Sequence, residues 1–200
     1  MSRIKLKFQG VQNLENISDV SMLLLSNEEE NRSVAVMCDK TNMTQIMLRS
    51  GDARVLTEDG KSTDVVPEKL TRRMLPEVLC SILTYMTNLS LAVVITNVCD
   101  GQYQAVVEDT ATGTTFPIRC SDGVLLTLAD RFIPLYIEQD VWNFQSTPYC
   151  KNSPMLAIPI NALTEDMLKA SLDKAIENEQ YEVAQHIKKE MEKRRRGNNQ

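Results

Sequence analysis

Alternation of apolar and polar residues predicts strands in the first forty positions. The apolar residues of 4–8 alternate with lysines, which is the period-two pattern of a half-buried strand. Apolar runs at residues 20–25 and 33–38 flank an acidic turn and predict a hairpin. Cap-type residues then precede apolar positions at helical spacing, up to Gly51. The opening segment therefore predicts three strands followed by a helix.

The second half of the chain repeats this plan. A hairpin over residues 89–108, with an Asp-Gly turn, is followed by a strand at 115–119. Ser121 and Asp122 come next and are suited to cap an apolar helix, and a short strand follows at 133–137. We therefore expect an α+β fold: a mixed or antiparallel sheet with packed helices and an internal strand–strand–strand–helix duplication.

A polar excursion and a helix connect the two halves. Residues 52–65 are turn-rich, and the pattern returns to helix over 67–86. Apolar residues at helical spacing form a stripe along this helix, made of Val78, Leu79, Ile82, Leu83 and Met86. Glu77 lies opposite that stripe, so its simplest interpretation is a solvated side chain.

The last forty residues differ in composition from the rest. Residues 148–162, which include three prolines, are predicted to be a linker after a first domain at 1–147. Residues 163–197 have no proline, are dense in Glu, Lys, Ala and Leu, and predict a helical hairpin that turns at 178–180. This hairpin has eight basic and eight acidic residues, so the net charge of −5 lies in residues 1–162.

Charge and cysteine usage narrow the class of protein. Nucleic-acid binders that rely on charge are usually strongly basic, and a net charge of −5 is not typical of them. No apolar run approaches the roughly 20 residues of a membrane span, and no signal-type stretch is present, so we expect no membrane association. The five cysteines are scattered and never form Cys-x-x-Cys, which favours free thiols in a reducing cytoplasm.

Several motifs resemble the bifunctional nuclease family. That family has a V-V-I-T-x-x-x-D-G-x-(F/Y) strand pair, matched at residues 93–103, and a P-I-Y-V strand, matched at 134–137. Its R-P-S-D motif is matched by Arg119, Ser121 and Asp122, with Cys120 in place of Pro. The resemblance extends to about Trp142 and implies DNase and RNase activity.

The chain departs from the family pattern at four further positions, in two segments. The family's L-P-I-x-I-G-x-x-E-A segment has Asp39 for Gly and Asn42 for Glu. Its P-L-T-H-D segment falls on residues 73–77, where Pro76 replaces His and Glu77 replaces Asp. The single histidine, His186, lies in the predicted hairpin, so residues 1–147 offer no imidazole as a base or metal ligand.

Phosphodiester cleavage without histidine usually relies on carboxylate-held Mg²⁺ or Mn²⁺ beside a cationic side chain. On the resemblance, Asp122 and Glu77 are the expected metal ligands and catalytic carboxylates, and Arg119 and Ser121 are expected to bind the substrate phosphate. The simpler interpretation of Ser121 and Asp122 is a helix cap, with Arg119 as the ion-pair partner.

The predicted hairpin resembles the UVR motif of the excision-repair proteins UvrB and UvrC. On that resemblance, we expect partner contacts from the matching residues Leu172, Tyr181, Ala184, Ile187 and Met191. Two short helices bury little area on their own, so a protein partner or a second copy of the chain is expected to pack on them.

Two functions follow from these resemblances. The first is a nuclease that hydrolyses DNA or RNA and carries a protein-interaction hairpin. The alternative is a catalytically silent scaffold that recruits a partner through the hairpin, which the acidic first domain and the missing His and Glu favour.

Overall fold

The structure is a computed structural model that describes residues 2–13, 20–50, 54–56, 62–64, 71–72, 74–149 and 158–197. The strands are β1 (Arg3–Asn13), β2 (Val20–Asn27), β3 (Arg32–Asp39), β4 (Arg54–Leu56), β5 (Ser62–Asp64), β6 (Leu91–Cys99), β7 (Gln102–Asp109), β8 (Thr114–Arg119), β9 (Leu135–Glu138) and β10 (Thr147–Pro148). The helices are α1 (Lys40–Ser50), α2 (Leu75–Met86), α3 (Cys120–Ala129), α4 (Gln139–Gln145), α5 (Glu165–Glu177) and α6 (Tyr181–Gly197).

Eight of the strands form one mixed sheet, in the order β10-β3-β2-β1-β9-β6-β7-β8. β1, β2 and β3 make an antiparallel meander, and so do β6, β7 and β8. β9 joins the two meanders, because it pairs antiparallel to β1 and parallel to β6. The predicted α+β class, and the strand–strand–strand–helix order in both halves, are confirmed.

The turn between β6 and β7 shows how local sequence sets the register. Cys99 pairs with Gln102, which leaves Asp100 and Gly101 as a two-residue loop. Both loop residues have positive φ, 49° and 79°, as a tight hairpin with right-handed twist requires. The predicted Asp-Gly hairpin is therefore confirmed.

The sheet curves so that its two outer regions approach each other. β3 lies close to β7, although four strands separate them in the sheet, and α1 and α3 pack side by side over the same region. The largest fully buried side chains of this core come from both meanders, from β9 and from both helices, and include Leu23, Leu25, Ile46, Ile95, Val124 and Ile137. The two strand-to-helix junctions are thereby brought together.

The C-terminal segment forms the predicted helical hairpin. Thr164 caps α5, since its side chain accepts a hydrogen bond from the Met167 amide at 3.4 Å. The turn to α6 contains Glu179 with φ of 57°. Leu168, Ala175, Ala184 and Ile187 form the buried seam between the two helices. None of the described helices is long and apolar enough to cross a membrane.

The ends of the predicted linker are packed against the first domain. Thr147 and Pro148 pair with β3, and the Tyr149 amide donates to the Asn31 carbonyl at 3.0 Å. After residues 150–157, which lie outside the described residues, a 3₁₀ turn at Ile160–Ala162 buries Ala162 in the main core. The hairpin therefore starts from a point fixed on the sheet.

The orientation of α2 is the largest departure from the sequence-based expectation. The helix forms, from Leu75, whereas most of residues 52–70, where the excursion and the predicted helix start fall, lie outside the described residues. Four of the five residues of the predicted stripe are exposed, Leu83 is partly buried, and Cys80 is the buried residue of this helix. Glu77, expected to be solvated, is instead turned toward α1 and largely buried.

Candidate functional site

Two strand-to-helix junctions meet at the candidate site. β3 ends at Asp39 just before α1, and β8 ends at Arg119 just before α3. Because α1 and α3 are neighbours, their first turns lie together, and the positive ends of both helix dipoles point to the same region. This shared position is the structural reason to look for a functional site here.

A polar network links the two junctions. Asn42, which is buried, donates through Nδ2 to the Ser121 hydroxyl at 3.1 Å and also to the Asp122 carboxylate. Arg119 donates to both oxygens of that carboxylate, at 2.6 and 3.1 Å, and reaches Asp39 at 3.4 Å. We call these five residues the junction network.

The two helices begin differently. Asp39 caps α1, because its Oδ1 accepts a hydrogen bond from the Asn42 amide at 2.8 Å. The N-cap of α3 is Arg119, which makes no capping hydrogen bond with its side chain, and Ser121 and Asp122 lie inside the first turn. The prediction that Ser121 and Asp122 cap this helix is therefore wrong, because the helix begins at Cys120 rather than after them. The first amides of α3 have no side-chain cap.

The junction network contains two carboxylates and one guanidinium. The hydrogen bond from Arg119 to Asp122, with the charge of that carboxylate, raises the pKa of Arg119. The Arg119 side chain is 68% exposed, so solvent screens these interactions. The network is slightly negative as a whole, and its cation is already engaged by carboxylates.

A cleft of about 500 Å³ opens beside the network, between the end of β3 and the adjoining parts of β7 and β8. Arg119 and Ser121 line it, together with apolar residues that include Val36, Met37, Pro117 and Ile118. Tyr103 also lines it, and its buried hydroxyl has no hydrogen-bond partner among the described residues. Burial raises the pKa of Tyr103, so this hydroxyl stays protonated near neutral pH.

Two cysteines lie beside the cleft, and their thiols are protonated and unreactive near neutral pH. Burial, and for Cys38 also the charge of Asp39, raises the pKa of Cys38 and of Cys120 to about 12. The thiolate, not the thiol, is the nucleophilic form of cysteine. Neither residue therefore offers a nucleophile near neutral pH.

The structure places Glu77 away from the junction network. Its carboxylate accepts two hydrogen bonds from the Arg49 guanidinium, at 2.6 and 2.8 Å, and the Arg49 side chain is only 3% exposed. Arg49 lies seven residues after Asn42 on α1, roughly 10 Å along the helix axis. The sequence-predicted set is thus divided: Arg119, Ser121 and Asp122 lie together, and Glu77 lies at the other end of α1.

Because Glu77 and Asp122 lie apart, they do not form the site expected for an Mg²⁺ or Mn²⁺ ion. Among the described residues, no group of three or more His, Cys, Asp or Glu side chains could hold a metal ion. Asp122 is engaged by Arg119 and Asn42, and Glu77 is engaged by Arg49. A metal ion held jointly by Asp122 and Glu77 does not fit this arrangement.

Sequence reasoning did not assign Asp39 and Asn42 to the site. Both stand where the chain departs from the bifunctional nuclease pattern. A comparison of the two halves offered a signal, because a Cys with an Asp soon after it recurs where the third strand of each half meets its helix. Asp39 and Asp122 follow these cysteines, Cys38 and Cys120, and both reach Arg119.

The five hairpin residues predicted to contact a partner differ in how far they are buried. Ala184 and Ile187 are buried in the seam between α5 and α6, and Leu172 and Met191 pack against it. Tyr181 alone of these five is well exposed, at the tip of the hairpin. Exposed Ile176 and Val183, which were not among the residues predicted to contact a partner, lie close to it along the chain. We call Ile176, Tyr181 and Val183 the tip cluster.

The base of the hairpin is held against the sheet. A Cβ atom on Gly101 would lie 2.2 Å from the Leu163 carbonyl oxygen, so the β6–β7 turn and the start of the hairpin are in close contact. Arg194 of α6 donates to the carbonyls of Leu163 and Asn161, at 2.7 and 3.0 Å. These contacts fix where the hairpin begins and support both of its helices.

Comparison with known proteins adds no assignment to this geometry. No protein-family model matches the sequence, and no curated protein is significantly similar to it.

Proposed function

We propose that this protein is a non-catalytic scaffold that recruits a protein partner through its C-terminal hairpin. The observation that carries the proposal is the contrast between the two ends of the hairpin. Its base is held by Gly101 and Arg194, whereas Tyr181 at its tip is 68% exposed. A rigidly supported apolar tip is suited to insert into a complementary surface, because little freedom remains to be lost on binding.

The surroundings of the tip cluster suggest the chemistry of the partner. Glu177, Glu179 and Glu182 are exposed and flank the cluster along the chain. Aromatic and aliphatic anchors in a charged rim are typical of protein interfaces. We expect a partner surface with an apolar pocket and basic residues around it.

The interactions of the groups that were expected to act chemically favour a protein without catalytic activity. Asp122 and Glu77, the two carboxylates expected to act, are each neutralised by a different arginine in a different place. The two cysteine thiols beside the cleft are protonated near neutral pH. Neither these two carboxylates nor these two thiols are therefore available to act as a general base.

Site-specific photo-crosslinking in the source cells tests the scaffold function. A photoreactive amino acid at Val183 is expected to capture one defined protein, and Tyr181→Glu is expected to abolish the capture. The matched control is the same photoreactive group at Asp166, an exposed position in the first turn of α5, at the opposite end of the helix from the tip. Capture that is equal from both positions, or that survives Tyr181→Glu, would count against the proposal.

A nuclease is the second candidate, and one observation favours it. Arg119, Ser121 and the uncapped first turn of α3 adjoin the same cleft, where backbone amides and a guanidinium attract a phosphate group. The test incubates the protein with single-stranded DNA and RNA, with and without Mg²⁺ or Mn²⁺, beside an Asp122→Ala variant. Cleavage that the wild type performs and the variant does not would establish the nuclease and overturn the silent scaffold.

A further inference from the structure

The cleft beside the junction network has the size of a small-molecule site. Its volume is about 500 Å³, within the range of roughly 300–1,000 Å³ that is typical of ligand pockets. Residues from β3 line it together with residues from β7, β8 and the first turn of α3. Both halves of the chain are therefore needed to form it.

One hydroxyl group in the wall of the cleft has no hydrogen-bond partner. Tyr103 lines the cleft and is only 6% exposed, and its hydroxyl oxygen bonds to no group among the described residues. Buried polar atoms are nearly always paired, because burial removes the water that would otherwise bind them, and an unpaired one lowers the stability of the fold. A group seated in the cleft would give this hydroxyl its partner.

Two further kinds of donor at the same cleft lack an acceptor. The Ser121 hydroxyl accepts a hydrogen bond from Asn42, but within the part of the chain that the structure describes its own hydrogen is donated to no group. The first amides of α3 have no side-chain cap, and the amides at a helix N-terminus have no partner inside the helix. Together with Tyr103, these donors select a ligand that presents a hydrogen-bond acceptor.

The rest of the cleft selects an apolar body for that ligand. Met37, Pro117 and Ile118 line it, and none of the three is fully buried. Contact with such side chains is favourable for an apolar group, because both surfaces leave water. A molecule that fits the cleft therefore has an apolar body with an acceptor at one end.

Charge selects an uncharged acceptor. Arg119 is paired with both Asp39 and Asp122, so these side chains have a formal charge of −1. The positive ends of the α1 and α3 dipoles, each equivalent to roughly half a unit charge, offset that value. A carboxylate or phosphate group would have to displace one of the two ion pairs of Arg119. A carbonyl oxygen accepts the same hydrogen bonds without doing so.

We propose that the cleft binds a small uncharged molecule with an apolar body and a carbonyl oxygen, held by the hydroxyls of Tyr103 and Ser121 and by the first amides of α3. The tip cluster lies at the far end of α5 from Thr164, which lines the cleft. The ligand site is therefore separate from the scaffold function and does not depend on what the hairpin binds.

Titration of the isotope-labelled full chain with benzylacetone, followed by amide NMR, tests the site. This ketone has one apolar ring and one carbonyl group, and saturable shifts are expected at Cys120 and Ser121. Hydrocinnamate, in which a carboxylate replaces the methyl ketone, and phenylpropylamine, which presents a cationic donor, are each expected to bind at least about fivefold more weakly, as expected from the loss of one hydrogen bond.

Tyr103→Phe is the most informative variant, because it removes only the hydroxyl group. Without ligand it is expected to melt at a higher temperature than the wild type, since no unpaired hydroxyl remains buried. It is also expected to bind benzylacetone about fivefold more weakly. Tyr136→Phe, on β9 and outside the cleft, is the matched control and should not alter binding.

Three outcomes would overturn the proposal. The first is a wild type without saturable shifts, or with shifts at the exposed apolar residues of α2 instead of at the cleft. The second is a Tyr103→Phe variant that keeps the affinity of the wild type. The third is tighter binding of hydrocinnamate or inorganic phosphate than of benzylacetone, which would favour the phosphate site of the nuclease. The crosslinking experiment at Val183 is unaffected by any of them, so failure of the ligand site and failure of the scaffold are distinguishable.

Discussion

Arg49 and Glu77 form a two-pronged ion pair that ties α1 to α2, with the guanidinium almost fully buried. Arg49 also donates to the carbonyl and side-chain oxygens of Gln45, at 2.7 and 3.1 Å, and to the Met74 sulfur at 3.6 Å, so all three of its side-chain nitrogens are engaged by protein groups. Since removal of one member leaves the other charged and poorly solvated, the pair is expected to be important for stability.

We predict that Arg49→Met and Glu77→Ala each lower the free energy of unfolding by about 2–4 kcal/mol. The double variant is expected to lose less than the sum of the two, because no unpaired charge remains buried. Urea denaturation followed by circular dichroism measures these values. The matched control is Glu165→Ala, which breaks the exposed pair with Lys169 and should cost less than about 0.5 kcal/mol. Glu77→Ala with an unchanged free energy of unfolding would contradict the structural role.

Asn42 joins the two strand-to-helix junctions across a gap of some eighty residues in sequence. We predict that Asn42→Ala lowers the free energy of unfolding by about 1–3 kcal/mol, because Ser121 and Asp122 both lose a buried donor. Denaturant titration provides the measurement. Asn143→Ala on α4, where the side chain is exposed, should change stability by less than about 0.5 kcal/mol. Equal effects of the two substitutions would show that the junction network does not stabilise the fold.

Gly101 and Gly113 form a matched pair for testing how the hairpin is attached. Both have positive φ, 79° and 72°, so an alanine is strained at either position. An added Cβ would meet the Leu163 carbonyl only at position 101, whereas nothing lies within 4 Å of it at position 113. We predict that Gly101→Ala increases hydrogen–deuterium exchange in α5 and α6, and that Gly113→Ala leaves exchange there unchanged. Identical exchange in both variants would mean that the β6–β7 turn does not hold the hairpin.

Asp109 organises the turn between β7 and β8. The Thr112 hydroxyl donates to its carboxylate at 2.7 Å, and the amides of Ala111 and Ser90 donate as well, which lowers the pKa of Asp109. A lowered folded-state pKa stabilises the protein above the unfolded value of about 3.9, and this stabilisation is lost as the pH falls through the folded value.

We therefore predict that Asp109→Asn melts at a lower temperature than the wild type at pH 7, and that the difference narrows below about pH 4. Thermal melts by circular dichroism between pH 2 and pH 7 measure it. Asp173→Asn, at an exposed position on α5, is the control and should show no difference at either pH. A difference that does not depend on pH would rule out the carboxylate charge as its cause.

Local patterns were sufficient to predict most strands, the hairpin turns and the C-terminal helices. The Asp-Gly loop requires positive φ at adjacent residues, and Thr164 supplies a side-chain acceptor where α5 begins. These features depend on residues a few positions apart, so the sequence contains them directly. α4 was not predicted, because its seven residues include a single large buried anchor, Trp142.

The candidate site could not be predicted in full, because it is formed by contacts between residues far apart in the sequence. Asn42 meets Asp122, and Arg49 meets Glu77, only because α1 packs between distant segments. Likewise, periodicity identified which residues of α2 share a face, but the burial of that face depends on what packs against it. The same stripe is compatible with a core helix and with an interface helix.

The position of β9 has a consequence for the order in which the molecule is built. The edge of β1 pairs with β9, where Ile4 lies opposite Ile137. On a growing chain, the first meander is therefore complete long before the strand that covers its edge has been made. An unpaired edge is a template for wrong pairing, and contacts this distant in sequence form slowly. Early in synthesis, the nascent N-terminal half is the species most exposed to aggregation, and release of residues 135–138 ends that exposure.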